Sequence, residues 1–168
     1  MKILYICTHN RCRSILSEAI TNQFADTKSA VKVAGNVAGK VVAKSAGSQP
    51  VGEVHPLSIK YLQAAGISTE GLCSQSWDEF EDFAPDLVVT VCDSAAAEAC
   101  PAWFGKSVKV HWGLADPSKF QGTEQQIADA FNGTIEQIKQ RVEQLVNLDV
   151  DVKDKVAFKA ALAQLGAM

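Results

Sequence analysis

The feature that most constrains the fold is a repeated succession of a short apolar run and a longer stretch with helical spacing. Ile3-Leu4-Tyr5-Ile6 is apolar and partly β-branched, as expected of a buried strand. After a turn-like segment, Ile15, Leu16, Ala19, Ile20 and Phe24 recur at helical spacing. Residues 26–39 are small, polar and glycine-containing, and read as a surface loop. Val41 to Ala46 reads as a second strand ending at Gly47. Pro56 suits the first turn of a helix whose face carries Leu57, Tyr61 and Ala65 and which stops at Gly66. Leu87 to Cys92 is the clearest buried strand, and Val108 to His111 is a fourth. Ile127, Phe131, Ile138, Val142 and Leu145 define a long amphipathic helix, with Gly133 as a mild interior weakness. Phe158, Leu162 and Leu165 define a last helix closed by Gly166.

Strands that alternate with helices in this way predict an α/β fold, a four-stranded parallel sheet with helices on both faces and right-handed connections. No internal repeat, low-complexity stretch or linker interrupts the pattern, so residues 1–168 are expected to form a single domain. In such sheets ligands bind at the carboxyl ends of the strands. Cys7 and Cys92 each fall at that end of a predicted strand.

Charge and cysteine usage narrow the chemistry. The net charge is −3 with scattered basic residues, which argues against a nucleic-acid partner, since phosphate-backbone binding needs a concentrated positive face. No apolar run approaches the ~18 residues of a membrane span. The apolar stretch at residues 3–7 is too short for a signal peptide, so the expected location is the cytoplasm, where thiols stay reduced. The five cysteines, Cys7, Cys12, Cys73, Cys92 and Cys100, lack zinc-ligand spacing. His9, His55 and His111 have no metal-like spacing either, so no metal site is expected. Reactive thiols become the leading idea.

The strongest local signal is Cys7-Thr8-His9-Asn10-Arg11-Cys12-Arg13-Ser14, set directly between a strand and a helix. Five residues separate Cys7 from Arg13, a length that can curl so that consecutive backbone N–H groups point inward as an anion-binding nest. The helix that follows adds the positive end of its dipole. Arg13 brings a planar fork of donors suited to two oxygens of a tetrahedral oxyanion. The same positive field favours Cys7 as a thiolate nucleophile. Ser14 can donate to that thiolate or cap the helix. Thr8, His9, Asn10, Arg11, Cys12, Arg13 and Ser14 are thus the expected substrate-binding residues, with His9 at the mouth and Cys12 contributing its backbone more than its sulfur.

This loop resembles the phosphate-binding loop of the low-molecular-weight protein tyrosine phosphatases and of the arsenate reductases that share their fold. Ser45-Ala46-Gly47-Ser48 is similar to the second-strand motif of that family. The family also places an Asp-Pro late in the chain, over the cradle, and Asp116-Pro117 is the match here. The resemblance implies that Asp116 protonates the group that departs from the oxyanion.

Cys92-Asp93-Ser94-Ala95-Ala96-Ala97-Glu98-Ala99-Cys100-Pro101 resembles the redox segment of the arsenate reductases, as do Trp112-Gly113 and Ser76-Trp77-Asp78-Glu79-Phe80. A phosphatase needs one thiol, whereas a reductase must supply two electrons, and two further cysteines can do so by thiol–disulfide exchange. The resemblance implies that Cys7 attacks arsenate, Cys92 attacks the Cys7 sulfur with release of arsenite, and Cys100 attacks Cys92. An external thiol reductant, thioredoxin or glutathione with glutaredoxin, then restores the thiols. Seven residues lie between Cys92 and Cys100, where the thioredoxin-coupled branch usually has six; a related branch, some of whose members use glutathione and glutaredoxin, resembles this chain more closely. Two other readings are a phosphotyrosine phosphatase that does without Cys92 and Cys100, and a non-catalytic oxyanion or thiol sensor.

Ala95 to Ala99 is a strong helix-forming run. If it is helical throughout, Cys92 and Cys100 stand about 12 Å apart by the ~1.5 Å rise per residue, beyond the ~7 Å that a disulfide tolerates. A bond between them then requires the segment to unwind. Cys73 is read as structural, Trp77, Trp103 and Trp112 as packing residues, and the charges of residues 136–143 as a solvated helix face.

Overall fold

The computed structural model describes residues 1–27, 32–33, 36–37 and 41–166. Four strands form one wholly parallel sheet: β1 (Lys2–Ile6), β4 (Val42–Ala46), β5 (Leu87–Thr90) and β6 (Val108–His111), in the spatial order β4-β1-β5-β6. Ile3, Leu4, Tyr5 and Ile6 are all fully buried although successive side chains point to opposite faces, so both faces of the central strand are covered. This is why β1 reads as an unbroken apolar run rather than as an alternation.

The helices are α1 (Arg13–Thr27), α2 (Pro56–Ala64), α3 (Asp93–Ala97), α4 (Glu124–Val146) and α5 (Lys155–Gly166). α1 packs on β1 and β4, α5 on β6, and α4 against α1, α2 and α5. The start of α4 is fixed by a reciprocal capping box between Thr123 and Gln126. That helix runs through Gly133 without a break, because Phe131, Ile135, Ile138, Val142 and Leu145 are all buried along one face. No helix among the described residues is long and apolar enough to cross a membrane.

The sheet and its flanking helices match the sequence expectation, and three local elements depart from it. The segment read as a surface loop at 26–39 holds the last turn of α1 and two short antiparallel strands, β2 (Lys32–Val33) and β3 (Asn36–Val37). The remainder of that reading, residues 28–31, 34–35 and 38–39, lies outside the described residues. β5 ends at Thr90, two residues before Cys92. The helix expected over Ala95 to Ala99 stops at Ala97, and Glu98 is extended at φ −76° and ψ 149°. Pro101 disfavours helical backbone at Cys100 and bars the helix from running on.

Charge on the helix faces also differs in one place. Glu136 and Lys139 pair in solvent as expected, but Arg141 lies over the Trp112 ring at 5.8 Å. Burial there pushes the guanidinium pKa down. The tryptophans are packing residues: Trp112 is buried against Tyr5, and Trp77 and Trp103 meet Phe104 edge-on.

Between α1 and β4, buried Glu18 accepts a hydrogen bond from Ser45 Oγ at 2.5 Å. Burial raises the Glu18 pKa, opposed in part by the Ser45 bond and by Lys44. The folded state then holds a proton at a pH where the unfolded chain has lost it. Stability falls as pH rises from the ordinary glutamate value of about 4.3 through the raised folded value. Glu18→Gln keeps an acceptor for Ser45 without the buried charge. Its melting temperature should exceed wild type by about 2–4 °C at pH 8, equivalent to about 1 kcal/mol in a chain of this size. The gap should close in acid, as a circular-dichroism melting series would show.

Candidate active site

The chain leaves β1 at Ile6 and curls through residues 7–12 before entering α1 at Arg13. The carbonyls of this loop are drawn outward by neighbouring segments. Thr8 O accepts from Gln49 N at 2.9 Å, His9 O from Val51 N at 3.3 Å and Ser74 Oγ at 3.1 Å, and Arg11 O from His55 N at 2.9 Å. Turning the carbonyls out turns the amides in. Among the described residues, no protein group accepts from the N–H groups of Thr8, His9, Asn10, Arg11 and Cys12. The outcome is a concave set of unpaired donors at a helix start, a geometry suited to an anion.

Asn10 makes the curl possible. Its φ of 46° lies in the left-handed region, which Asn tolerates better than most residues. Its fully buried side chain accepts from Gln75 N at 2.8 Å and donates to Ser14 Oγ at 2.9 Å. Ser14 Oγ, having accepted from Asn10, has its single proton free for Cys7 Sγ at 3.0 Å. Of the two roles open to Ser14, the structure shows this contact with the thiol.

Gly47 closes the back of the loop. A Cβ at this position would stand 2.5 Å from Thr8 O and 2.9 Å from Cys7 O, both backbone atoms. Arg13 reaches across the opening, donating to Leu114 O at 3.0 Å and to Asp116 Oδ2 at 3.3 Å. The other Asp116 oxygen accepts from Ser118 N and Ser118 Oγ, so the carboxylate is held facing the guanidinium.

These segments enclose a cavity of about 360 Å³, lined on the loop side by Cys7, Thr8, His9, Arg11, Cys12 and Arg13. Asp116 faces it from the 112–119 segment, and Cys92 from the start of α3. Cys92 is buried as the N-cap of α3, where its sulfur accepts from Ala95 N at 3.4 Å. Thr8 Oγ1 lies 3.8 Å from the same sulfur. Cys100 is half-buried and donates to Glu98 O at 3.8 Å. The side chains of Asn10, Ser14 and Cys100 do not line the cavity.

Four lining residues were not singled out from sequence: His55, Ser94, Ser118 and Lys119. His55 had a readable signal, since it directly precedes Pro56 and caps α2 by accepting from Leu57 N at 3.1 Å. Burial, with Arg11 nearby, pushes its pKa down. Burial pushes the Cys12 thiol up to about 12, so it stays protonated at neutral pH. Cys73, read as structural, is exposed. No group of His, Cys, Asp and Glu among the described residues could hold a metal ion.

Comparison with known proteins places the fold. Residues 2–157 match the model of the family described as low molecular weight phosphotyrosine protein phosphatase. An arsenate reductase of Halalkalibacterium halodurans is 31% identical over 140 residues, spanning 83% of this chain and 91% of that protein. A glutaredoxin arsenate reductase of Synechocystis is 28% identical over 145 residues, spanning 86% and 95%. A solved structure described as an arsenate reductase in the phosphate binding state superposes with a TM-score of 0.66 at 24% identity, covering 86% of this chain and 95% of that one.

Two outcomes test the geometry. In the folded protein at about pH 8, iodoacetamide should label Cys73 readily and leave Cys12 unlabelled until denaturant is added, as read by peptide mass mapping. Gly47→Ala should weaken the protection of Cys7 by inorganic phosphate by roughly 100-fold, because the added carbon must displace loop backbone.

Proposed function

The chain belongs to the low molecular weight phosphotyrosine protein phosphatase family, and on that premise we propose that it reduces arsenate to arsenite. The observation that carries the proposal is the second thiol in the cavity. Cys92 faces the same space as Cys7, and Thr8 of the anion loop stands 3.8 Å from its sulfur. Phosphoester hydrolysis has no use for a second thiol there, whereas a two-electron reduction requires one.

The residues divide the work as follows. The loop amides and Arg13 hold the oxyanion, whose arrival competes with Asp116 for the guanidinium. Ser14 donates to the Cys7 sulfur and holds it in place. Cys7 attacks arsenic, and its thiol proton passes by way of Asp116, freed from Arg13 by the incoming anion, to the departing hydroxyl, which leaves as water. Cys92 attacks the Cys7 sulfur, the electron pair leaves on arsenic, and arsenite departs. Cys100 then attacks Cys92, transferring the disulfide to the outer pair. For this last step the segment to be rearranged is short, because α3 has five helical residues and the chain is already extended at Glu98.

The disulfide is returned to thiols by an external donor, thioredoxin or glutathione with glutaredoxin. The name of the Synechocystis relative supports the second. Arsenite production with each system supplied separately, alongside Cys92→Ser and Cys100→Ser, tests the proposal. Multiple turnover with one donor is expected, reduced by at least 10³-fold in Cys92→Ser because no other thiol faces Cys7 from outside the loop. Aryl phosphate hydrolysis without arsenite production, unchanged in both variants, would make the protein a phosphatase.

A further inference from the structure

We propose that Glu98 is the proton acceptor that activates Cys92, acting through the hydroxyl of Thr8. The proposal rests on the reductase reading above and assigns a role to a carboxylate that reading leaves idle. Thr8 Oγ1 donates to Glu98 Oε1 at 3.0 Å and stands 3.8 Å from Cys92 Sγ. A threonine hydroxyl carries one proton, and an ionised carboxylate can only accept. With the Thr8 proton committed to Glu98, the contact between Thr8 and Cys92 is one in which the thiol donates. Cys92 S–H, Thr8 O–H and the carboxylate thus form a directed row. The Cys92 sulfur meanwhile accepts from Ala95 N at 3.4 Å, which fixes its position.

The step balances within the site. As the Cys92 sulfur attacks the sulfur of arsenic-bound Cys7, the S–S bond forms and the S–As bond breaks. Its electron pair leaves on arsenic, taking As(V) to As(III). The Cys92 proton passes to Thr8 Oγ1 while the Thr8 proton passes to Glu98, which ends as the neutral acid. Two thiols give up two electrons, arsenic receives them, and no further co-reactant is needed. Carboxylates are weaker bases than thiolates. The transfer therefore belongs to the attack itself, when the thiol proton becomes acidic, and not to the resting enzyme.

Other charged groups share this space. Cys7, His9, Arg11 and Arg13 face Cys92 across the cavity from the loop. His55 faces it from the start of α2, and Asp116 and Lys119 from the 112–119 segment. Asp93, next in the chain, is exposed and contacts His111 Nε2 at 3.0 Å. Thr8 is the side chain that touches the Glu98 carboxylate. The sign of the effect separates a relay from bare charge. Removing a negative charge near Cys92 would by itself favour the thiolate and quicken the attack, whereas losing the acceptor slows it.

The test uses the full chain with Cys100→Ser, which halts the cycle at the Cys7–Cys92 disulfide. Disulfide formation under saturating arsenate is followed by rapid quench and mass mapping from about pH 6 to about pH 9, with and without Glu98→Gln or Glu98→Asp. Glu98→Gln keeps the acceptor for Thr8 but cannot take the proton. It is expected to slow the step roughly 100-fold near neutrality. The deficit should shrink as pH rises, because solvent hydroxide then competes for the thiol proton, and Glu98→Asp should recover most of the rate. A Glu98→Gln rate equal to or above the parent at every pH overturns the relay. So does a deficit of the same size at every pH, which marks a displaced segment. If the parent itself forms no disulfide with arsenate, the reductase reading falls and the relay with it.

Discussion

The site depends on where the carbonyl groups of residues 7–11 point. An anion loop works only if its amides converge, and a peptide cannot turn its N–H inward without turning its C=O outward. The outward carbonyls then need donors, or they are left buried and unpaired at a cost of about 1–3 kcal/mol each. Here the donors come from three separate stretches: Gln49 and Val51 after β4, His55 and Ser58 at the start of α2, and Ser74 further on. The cradle is therefore not a property of residues 7–14 alone. It is held from behind by the connection between β4 and β5, which is why that connection runs close beneath the loop and why Gly47 stands where it does.

The sheet order sets the rest of the geometry. The chain goes from β1 outward to β4 on one side and returns past it to β5 on the other. The carboxyl ends of β1 and β5 therefore face a common crevice, the place where open α/β sheets bind ligands. Cys7 emerges from one strand and Cys92 from the other, while the segment after β6 brings Asp116 over the opening. Three connections, each local in sequence, meet at one end of the sheet. The contact between Arg13 and Asp116 ties the first to the third, and that between Thr8 and Glu98 ties the first to the second.

Much of this was legible in the sequence, for a physical reason. Ile3 to Ile6 and Leu87 to Val89 are buried on both faces, so their apolar runs are unbroken, and α4 carries a regular apolar stripe. The cradle was legible because Cys7 and Arg13 lie in one short loop. What escaped was long-range or conformational. Nothing local announces that Glu98 will meet Thr8, ninety positions away, or that Lys119 and Ser94 will face the cavity. β2 and β3 are two residues each, too short to leave a period. The helix run at Ala95 to Ala99 was overestimated because propensity sums residue by residue. Such a sum ignores the proline downstream, which disfavours helical backbone at the residue before it.

The second thiol illustrates how little must change for such a fold to support redox chemistry. A strand end is buried and rigid, a good place to keep a thiol quiet. Cys92 goes one step further and serves as the N-cap of α3, so its sulfur has a structural task while the enzyme rests. A helix of five residues has almost no stability of its own, and α3 is bounded by that cap on one side and by extended Glu98 on the other. Were the sulfur drawn into a disulfide, as the proposed cascade requires, the cap would lose its acceptor, and little else in the backbone would hold the turn together. Burial protects the thiol and the short helix permits its movement. The two demands of the proposed thiol relay, restraint before the reaction and freedom after it, would thereby be met in nine consecutive residues, from Cys92 to Cys100.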